Sequence, residues 1–273
     1  MLRFGVCTTN FGTYADPRRA VEVADAAEAN GWDGFFVWDH LSFVWGPPSA
    51  DPWVLLTAVA MSTQRITIGT AVAVVPRYRP QLLAQTTATL DRLSGGRLVL
   101  GVGIGGSSAE DAAFGDKVDR AARGSMLDEG LEVLIGLWSG STVEHAGAHY
   151  RVNRVALGVG PLQRPRIPIW PGGNSSASLR RAARWDGWLA DTAAENEMRM
   201  PPETLAASIE TIRGHRVESG HFDVVAMGYA SGGSANVVSE YRDAGATWWL
   251  EVFHDRRGDL DQALGMIGDG PPS

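Results

Sequence analysis

The sequence predicts an α/β protein: a single (β/α)8 barrel, or TIM barrel, with an insertion between strands four and five. Three observations carry that reading. Residues 66–115 hold two apolar runs, I-T-I-G-T-A-V-A-V-V and R-L-V-L-G-V, joined by one helix-like segment. That is a βαβ unit with both strands covered on both faces. Strand-like and helix-like segments then alternate through all 273 residues, eight of each, with no composition shift or linker to mark a domain boundary. A closed barrel requires that number and commonly takes about 250 residues, whereas an open doubly wound sheet rarely runs to eight units uninterrupted.

The elements follow in order. Residues 2–7 form a first strand. Asp16 and Pro17 supply a helix cap and a first-turn proline, and Ala20, Val23, Ala24 and Ala27 share the apolar face of the helix they open. Asn30-Gly31 stops it. Strand two, residues 35–38, delivers Asp39 and His40 at its C-terminal end, and an aromatic, proline-rich loop follows over 41–50. Asp51-Pro52 caps a second helix that buries Leu55 and Val59. Strand three, residues 66–75, halts at Pro76. Arg79-Pro80 opens a helix with Leu83, Leu90 and Leu93 on one face, and Ser94-Gly95-Gly96 ends it before strand four at 97–102. Residues 107–115 read as a polar loop, and the long helix after it carries Leu127, Leu131, Leu134 and Trp138 at helical spacing. Residues 139–165 read as the insertion, with short strands. Strands five to eight fall at 167–170, 187–190, 224–227 and 247–252, with helices at 179–185, 203–216, 235–243 and 259–267.

Composition narrows the partners. The net charge is −7, and no Lys/Arg cluster is long enough to track phosphates, which argues against a nucleic-acid partner. No apolar run reaches the roughly 18 residues of a membrane span, and the first residues lack a signal-peptide pattern, so a cytoplasmic chain with no membrane partner is expected. The single Cys7 excludes an internal disulfide.

In a barrel of this kind the chemistry gathers at the C-terminal strand ends. His40 beside Asp39 is the first His-carboxylate pair at such an end. It can exchange protons near neutral pH or hydrogen-bond a cofactor ring; the alternative is a structural histidine at a loop start. Gly101, Gly103 and Gly106 match G-x-G-x-x-G, but a polar loop and a long helix follow instead of a short crossover to a strand ending in an acid. These glycines, with Gly105, then let backbone approach a flat ligand or relieve crowding at the rim. Gly172, Gly173, Asn174, Ser175 and Ser176 lead into a helix and suit an anion, or else form a plain loop with Ser175 as N-cap. Phe11, Phe43 and Trp45 suggest a moderately hydrophobic substrate, and Arg77 is a candidate to meet an anion on it. His145, His149, His215 and His221 lack metal-ligand spacing and no metal is expected; His254, at the end of strand eight, stays open.

With these residues in view, the chain resembles the bacterial luciferase-like superfamily of flavin- and deazaflavin-dependent oxidoreductases, nearly end to end. The resemblance rests on G-F-F-V-W-D-H at 34–40, on 66–80, on L-D-R-L-S-G-G-R-L-V-L-G-V-G-I-G-G at 90–106, and on E-D-A-A-F-G at 110–115. L-D-E-G-L-E-V-L-I-G-L-W-S-G at 127–140, the run 168–173 and R-A-A-R-W-D-G-W-L at 181–189 complete it. It implies one luciferase-like barrel domain over 1–273, with a flavin-type ring at the C-terminal mouth. The family's strand-three bulge, with its non-prolyl cis peptide behind the ring, maps onto Ala71-Val72, followed by Ala73. The histidine beside the ring maps onto His40, and the cofactor-phosphate loop onto residues 172–176. Deazaflavin-dependent sugar-phosphate dehydrogenases of the family place an acid directly after the strand-four glycines. This chain has Gly106-Ser107 there, and Glu110 is the candidate replacement. Their Trp after the strand-two His is also out of register with Trp45 and Phe43.

The resemblance therefore implies hydride transfer between the deazaflavin coenzyme F-420 (F420 below) and a small organic substrate, with His40, oriented by Asp39, bonding or protonating the reacting group. The alternatives are an FMN-dependent monooxygenase, a non-catalytic flavin-binding barrel and a metal-dependent barrel hydrolase. Family members often form dimers through helices two and three, and a homodimer is expected here.

Overall fold

The computed structural model describes residues 1–41, 46–117, 119–194, 196–217, 219–230 and 235–272. Eight parallel strands form its sheet: β1 (Arg3–Thr8), β2 (Gly34–Val37), β3 (Thr67–Thr70), β4 (Leu98–Gly103), β5 (Ile169–Pro171), β6 (Gly187–Ala190), β7 (Asp223–Gly228) and β8 (Trp248–Phe253). A ninth short segment, Ala73–Val74, continues β3 beyond a break. β1 pairs with both β2 and β8; β2 pairs with β3, β3 with β4, β4 with β5, β6 with β7 and β7 with β8. Between β5 and β6 the ladder thins to one parallel bridge, Gly172 to Leu189, plus bonds from Gly173 N to Leu189 O and from Asp186 N to Ile169 O.

Helices cover the outer face: α1 (Pro17–Ala29), α2 (Pro52–Ser62), α3 (Pro80–Leu93), α4 (Ser108–Ala113), α5 (Arg120–Trp138), α6 (Ser176–Ala182), α7 (Pro202–His215), α8 (Ala235–Asp243) and α9 (Leu260–Gly268). Their starts follow the sequence chemistry. Asp16 accepts from Arg18 N ahead of Pro17, and Asp51 accepts from Trp53 N and Val54 N ahead of Pro52. Between α5 and β5 lies an antiparallel hairpin, Val143–Ala146 with Arg151–Val155.

The faces expected to be apolar bury Ala20, Val23, Ala24 and Ala27 on α1 and Leu205, Ile209 and Ile212 on α7. Leu93 departs from this: it is 44% exposed, because the α3 stripe of Leu83 and Leu90 has rotated away by its last turn. Inside the sheet's curl, Phe36, Trp170 and Trp248 pack mutually at 5.6–5.7 Å between ring centroids. That aromatic plug closes the interior and leaves the strand ends as the open face.

At the end of β3 the register slips. Ile68 pairs with Leu98, thirty residues on, while Ala73 pairs with Val102, twenty-nine on, so one extra residue is accommodated as a bulge. The Ala71-Val72 peptide within it is cis, as the family resemblance implied. Val72 wedges against glycine backbone on both sides: a Cβ on Gly103 would lie 2.5 Å from Val72 Cγ2, and one on Gly172 3.0 Å from Val72 Cγ1.

Candidate active site at the C-terminal strand ends

A cavity of about 600 Å³ opens at the C-terminal strand ends. Thr9, Phe11, Trp38, Met227, Tyr229 and Val252 line it, with Ala193, Ala194, Asp191, His254, Asp255 and Arg256 at its other side. The ring of His40 lies 6.1 Å from Phe11 and 5.9 Å from Trp38, at the edge of this space.

His40 is not oriented by Asp39, its expected partner. Its Nδ1 lies 2.9 Å from Glu110 Oε2, and Glu110 is 3% exposed. Asp39 turns the other way, its Oδ2 accepting from Val74 N at 2.8 Å and from the Tyr78 hydroxyl at 3.0 Å. The cause is backbone direction: consecutive residues leaving a strand point to opposite sides, so Asp39 faces the β3 bulge and His40 the mouth. Burial pushes the Asp39 carboxyl above its ordinary range, against the pull of the Val74 amide, Arg77, the Tyr78 hydroxyl and His40.

Arg77, expected to meet a substrate anion, is instead buried among carboxylates. Its side chain is 5% exposed and bonds Glu110 Oε2 at 3.1 Å, with Asp111 Oδ1 at 3.5 Å and Asp39 Oδ1 at 3.7 Å. Arg123 from α5 completes the network, 3.1 Å from Asp111 Oδ1. Buried charges persist only when paired in this way, so both guanidiniums hold the fold together and neither is offered to a ligand.

Glu110 reaches His40 because residues 108–113 are a helix, not the expected polar loop. Ser107 caps it by accepting from Glu110 N at 3.2 Å. The S-S-A-E pattern at 107–110 is the sequence signal for this helix, a Ser three residues before a Glu. Glu110 does not turn back to its cap, however; its Oε1 accepts from Leu41 N, across the chain. The helix was thus findable from the sequence, while Arg123 carried no motif, and Asp111 and Tyr78 lay in stretches that carry the family resemblance without standing out as site residues.

The 172–176 loop holds much of its own hydrogen bonding. Asn174 clamps Asp191, donating to its O at 2.7 Å and accepting from its N at 3.0 Å, and Ser175 is the α6 N-cap, accepting from Ser178 N at 3.1 Å. Gly172 N and Gly173 N bond to Val102 O and Leu189 O. Phe43 and Trp45 lie outside the described residues.

Residues 2–263 match the family described as luciferase-like monooxygenase. The chain belongs to that family. Among its relatives, the F420-dependent glucose-6-phosphate dehydrogenase of Nakamurella multipartita is 35% identical over 202 residues, covering 69% of this chain and 56% of that protein. The chain thus spans little more than half the length of that relative. An uncharacterized protein of Mycobacterium tuberculosis is 28% identical over 245 residues, 83% of this chain and 82% of the other. An F420-dependent secondary alcohol dehydrogenase solved with an F420-acetone adduct superposes with a TM-score of 0.81 over 99% of this chain and 98% of its own, at 18% identity. At that identity the likeness speaks for the fold.

Proposed function

We propose that this chain is an oxidoreductase that moves hydride between F420 and a small organic substrate. The observation that carries the reading is His40, clamped by a buried carboxylate at the edge of a largely apolar cavity on the strand ends. Relatives named as F420-dependent support it.

The residues present fit a flat tricyclic ring. Met227 and Val252 supply apolar walls. The Ala71-Val72 bulge, backed by Gly103 and Gly172 where a Cβ would collide with Val72, supplies a firm floor next to Ala73. Gly105 and Gly106 would border the ring; nothing lies within 4 Å of where a Gly106 Cβ would stand. Toward the phosphate, the backbone amides at 174–176 and the Ser176 hydroxyl would be offered, since Gly172 N and Gly173 N bond Val102 and Leu189, Asn174 clamps Asp191 and Ser175 caps α6.

When bound, the deazaflavin supplies a carbon centre that accepts or gives hydride. The chain's own part is positional and acid-base. Glu110 accepts from Leu41 N and Arg77 as a carboxylate, so the proton between it and His40 sits on Nδ1. The neutral imidazole then presents a lone pair at Nε2, and the protonated ring an N–H there. His40 can therefore take a proton from a reacting hydroxyl or give one to a reacting carbonyl.

Two structural readings go with this one. We take the eight strands, joined through the Gly172–Leu189 bridge, as a closed barrel whose insertion, residues 139–165, carries the hairpin between α5 and β5. We also infer a homodimer through α2 and α3, where Val54, Met61, Leu82 and Leu93 are 44–64% exposed; light scattering showing a monomer would dismiss it.

The functional test is titration of the apo-protein with F420 and with FMN, followed by fluorescence. Preferential F420 binding in the micromolar range or tighter is expected. Preference for FMN would redirect the reading to oxygen-dependent monooxygenation, and binding of neither would end it.

A further inference from the structure

The cavity carries its own evidence about what enters it, and this inference rests on the functional reading above. Among the described lining residues, two carboxylates, Asp191 and Asp255, face one guanidinium, Arg256. No lysine lines the space; the chain's single lysine, Lys117, sits at the start of α5, where its carbonyl accepts from Arg123. The undescribed residues 42–45, 195 and 231–234 include no Lys or Arg. The other guanidiniums nearby are ion-paired: Arg77 and Arg123 in the buried network, Arg199 with Asp191, and Arg257 with Glu251. Arg199 balances Asp191, so a phosphorylated substrate, carrying close to two negative charges near neutral pH, would meet a lining with no net positive charge.

The polar feature offered instead is neutral. Tyr229, just past β7, and His254, just past β8, stand edge to face at 5.9 Å, with the hydroxyl 3.3 Å from His254 Nε2. Arg257 stacks over the Tyr229 ring at 5.1 Å and steadies it. Burial and the neighbouring Arg257 and Arg256 lower the His254 pKa, so its imidazole is uncharged at neutral pH. Because the hydroxyl–Nε2 bond takes one proton, the pair can either donate to or accept from a substrate oxygen, according to which group holds that proton, without a charge to desolvate.

We infer that the substrate is an uncharged, largely apolar molecule. It bears a hydroxyl or carbonyl oxygen that the Tyr229–His254 pair holds while Phe11 and Trp38 pack its apolar body.

The test is calorimetric binding of cyclohexanol, menthol and glucose 6-phosphate to the full chain, with and without F420, alongside the F420 titration itself. The expected result is binding of the uncharged alcohols, no detectable binding of the sugar phosphate, and affinity about tenfold weaker in Tyr229→Phe with an unchanged melting temperature. Tighter binding of glucose 6-phosphate overturns the inference, as does alcohol binding indifferent to Tyr229→Phe or absent in both forms. If the alcohols bind as expected and F420 does not, the cofactor reading fails while the substrate inference stands.

Discussion

The two walls of the mouth are built on opposite electrostatic plans. On the β2–β4 side, Asp39, Glu110 and Asp111 interlock with Arg77 and Arg123, every one of these side chains 5% exposed or less. On the β7–β8 side, Met227, Tyr229, Val252 and a neutral His254 face the cavity. The first wall uses charge for construction, because carboxylates and guanidiniums removed from water must satisfy one another. The second uses shape and uncharged hydrogen bonds for contact with whatever enters. His40 is the point where the charged wall reaches the cavity.

The largest way to break this contrast is Arg77→Met. It leaves three buried carboxylates with Arg123 alone, and we expect a loss of about 3–5 kcal/mol of stability by urea denaturation. A change below 1 kcal/mol would mean that Arg77 is not structural. His40→Ala comes next, lowering kcat about a hundredfold, within the range for general acid-base groups, while F420 affinity changes only several-fold. Unchanged turnover would remove His40 from the mechanism.

Glu110→Gln sharpens the comparison. Gln still fills the space and accepts from His40, but its charge is gone, and a fall of about tenfold in kcat with KM held within twofold is expected. A rise in KM alone would place Glu110 in substrate binding instead.

The smallest effect lies far from the mouth. Glu28 accepts from Gln64, Arg65 and Ile66 amides at 2.6–3.0 Å. Burial opposes these bonds, but the three amides prevail and lower its pKa. A lowered folded-state value means that the stabilisation is present above the ordinary carboxylate pKa and is lost as pH falls through the folded one. Glu28→Gln should therefore cost about 1 kcal/mol at pH 7 and less than that at pH 3, by urea midpoints at the two pH values. Equal costs at both would deny the linkage.

Much of this architecture was legible in the residues. Helix starts at Asp16-Pro17 and Asp51-Pro52 and the inward faces of α1 and α7 are local matters of capping and period, and they appear where the spacing put them. The bulge at Ala71-Val72 was reached by family resemblance, since a break in a run of apolar residues leaves no periodic trace. The site was legible in part. His40 sits at a strand end facing the mouth as read, whereas its partner was misread as the adjacent Asp39. Sequence adjacency suggested that pairing, and the alternation of side chains leaving a strand prevents it. Arg77 shows the same limit. From the sequence it is a cation on a rim, and only the convergence on it of Asp39 from the end of β2 with Glu110 and Asp111 from α4 shows that its charge is neutralised from within.

By itself, the sequence determined the order of strands and helices and their caps, because each depends on residues a few positions apart. The tertiary structure alone decided which carboxylate holds His40, that Arg77 is buried, and that Tyr229 and His254 meet across two strands. Those outcomes depend on contacts between residues 25 to 70 positions apart. Local propensity says nothing about such pairs, and only the packing of strand ends and helices in the folded chain brings them within hydrogen-bond reach.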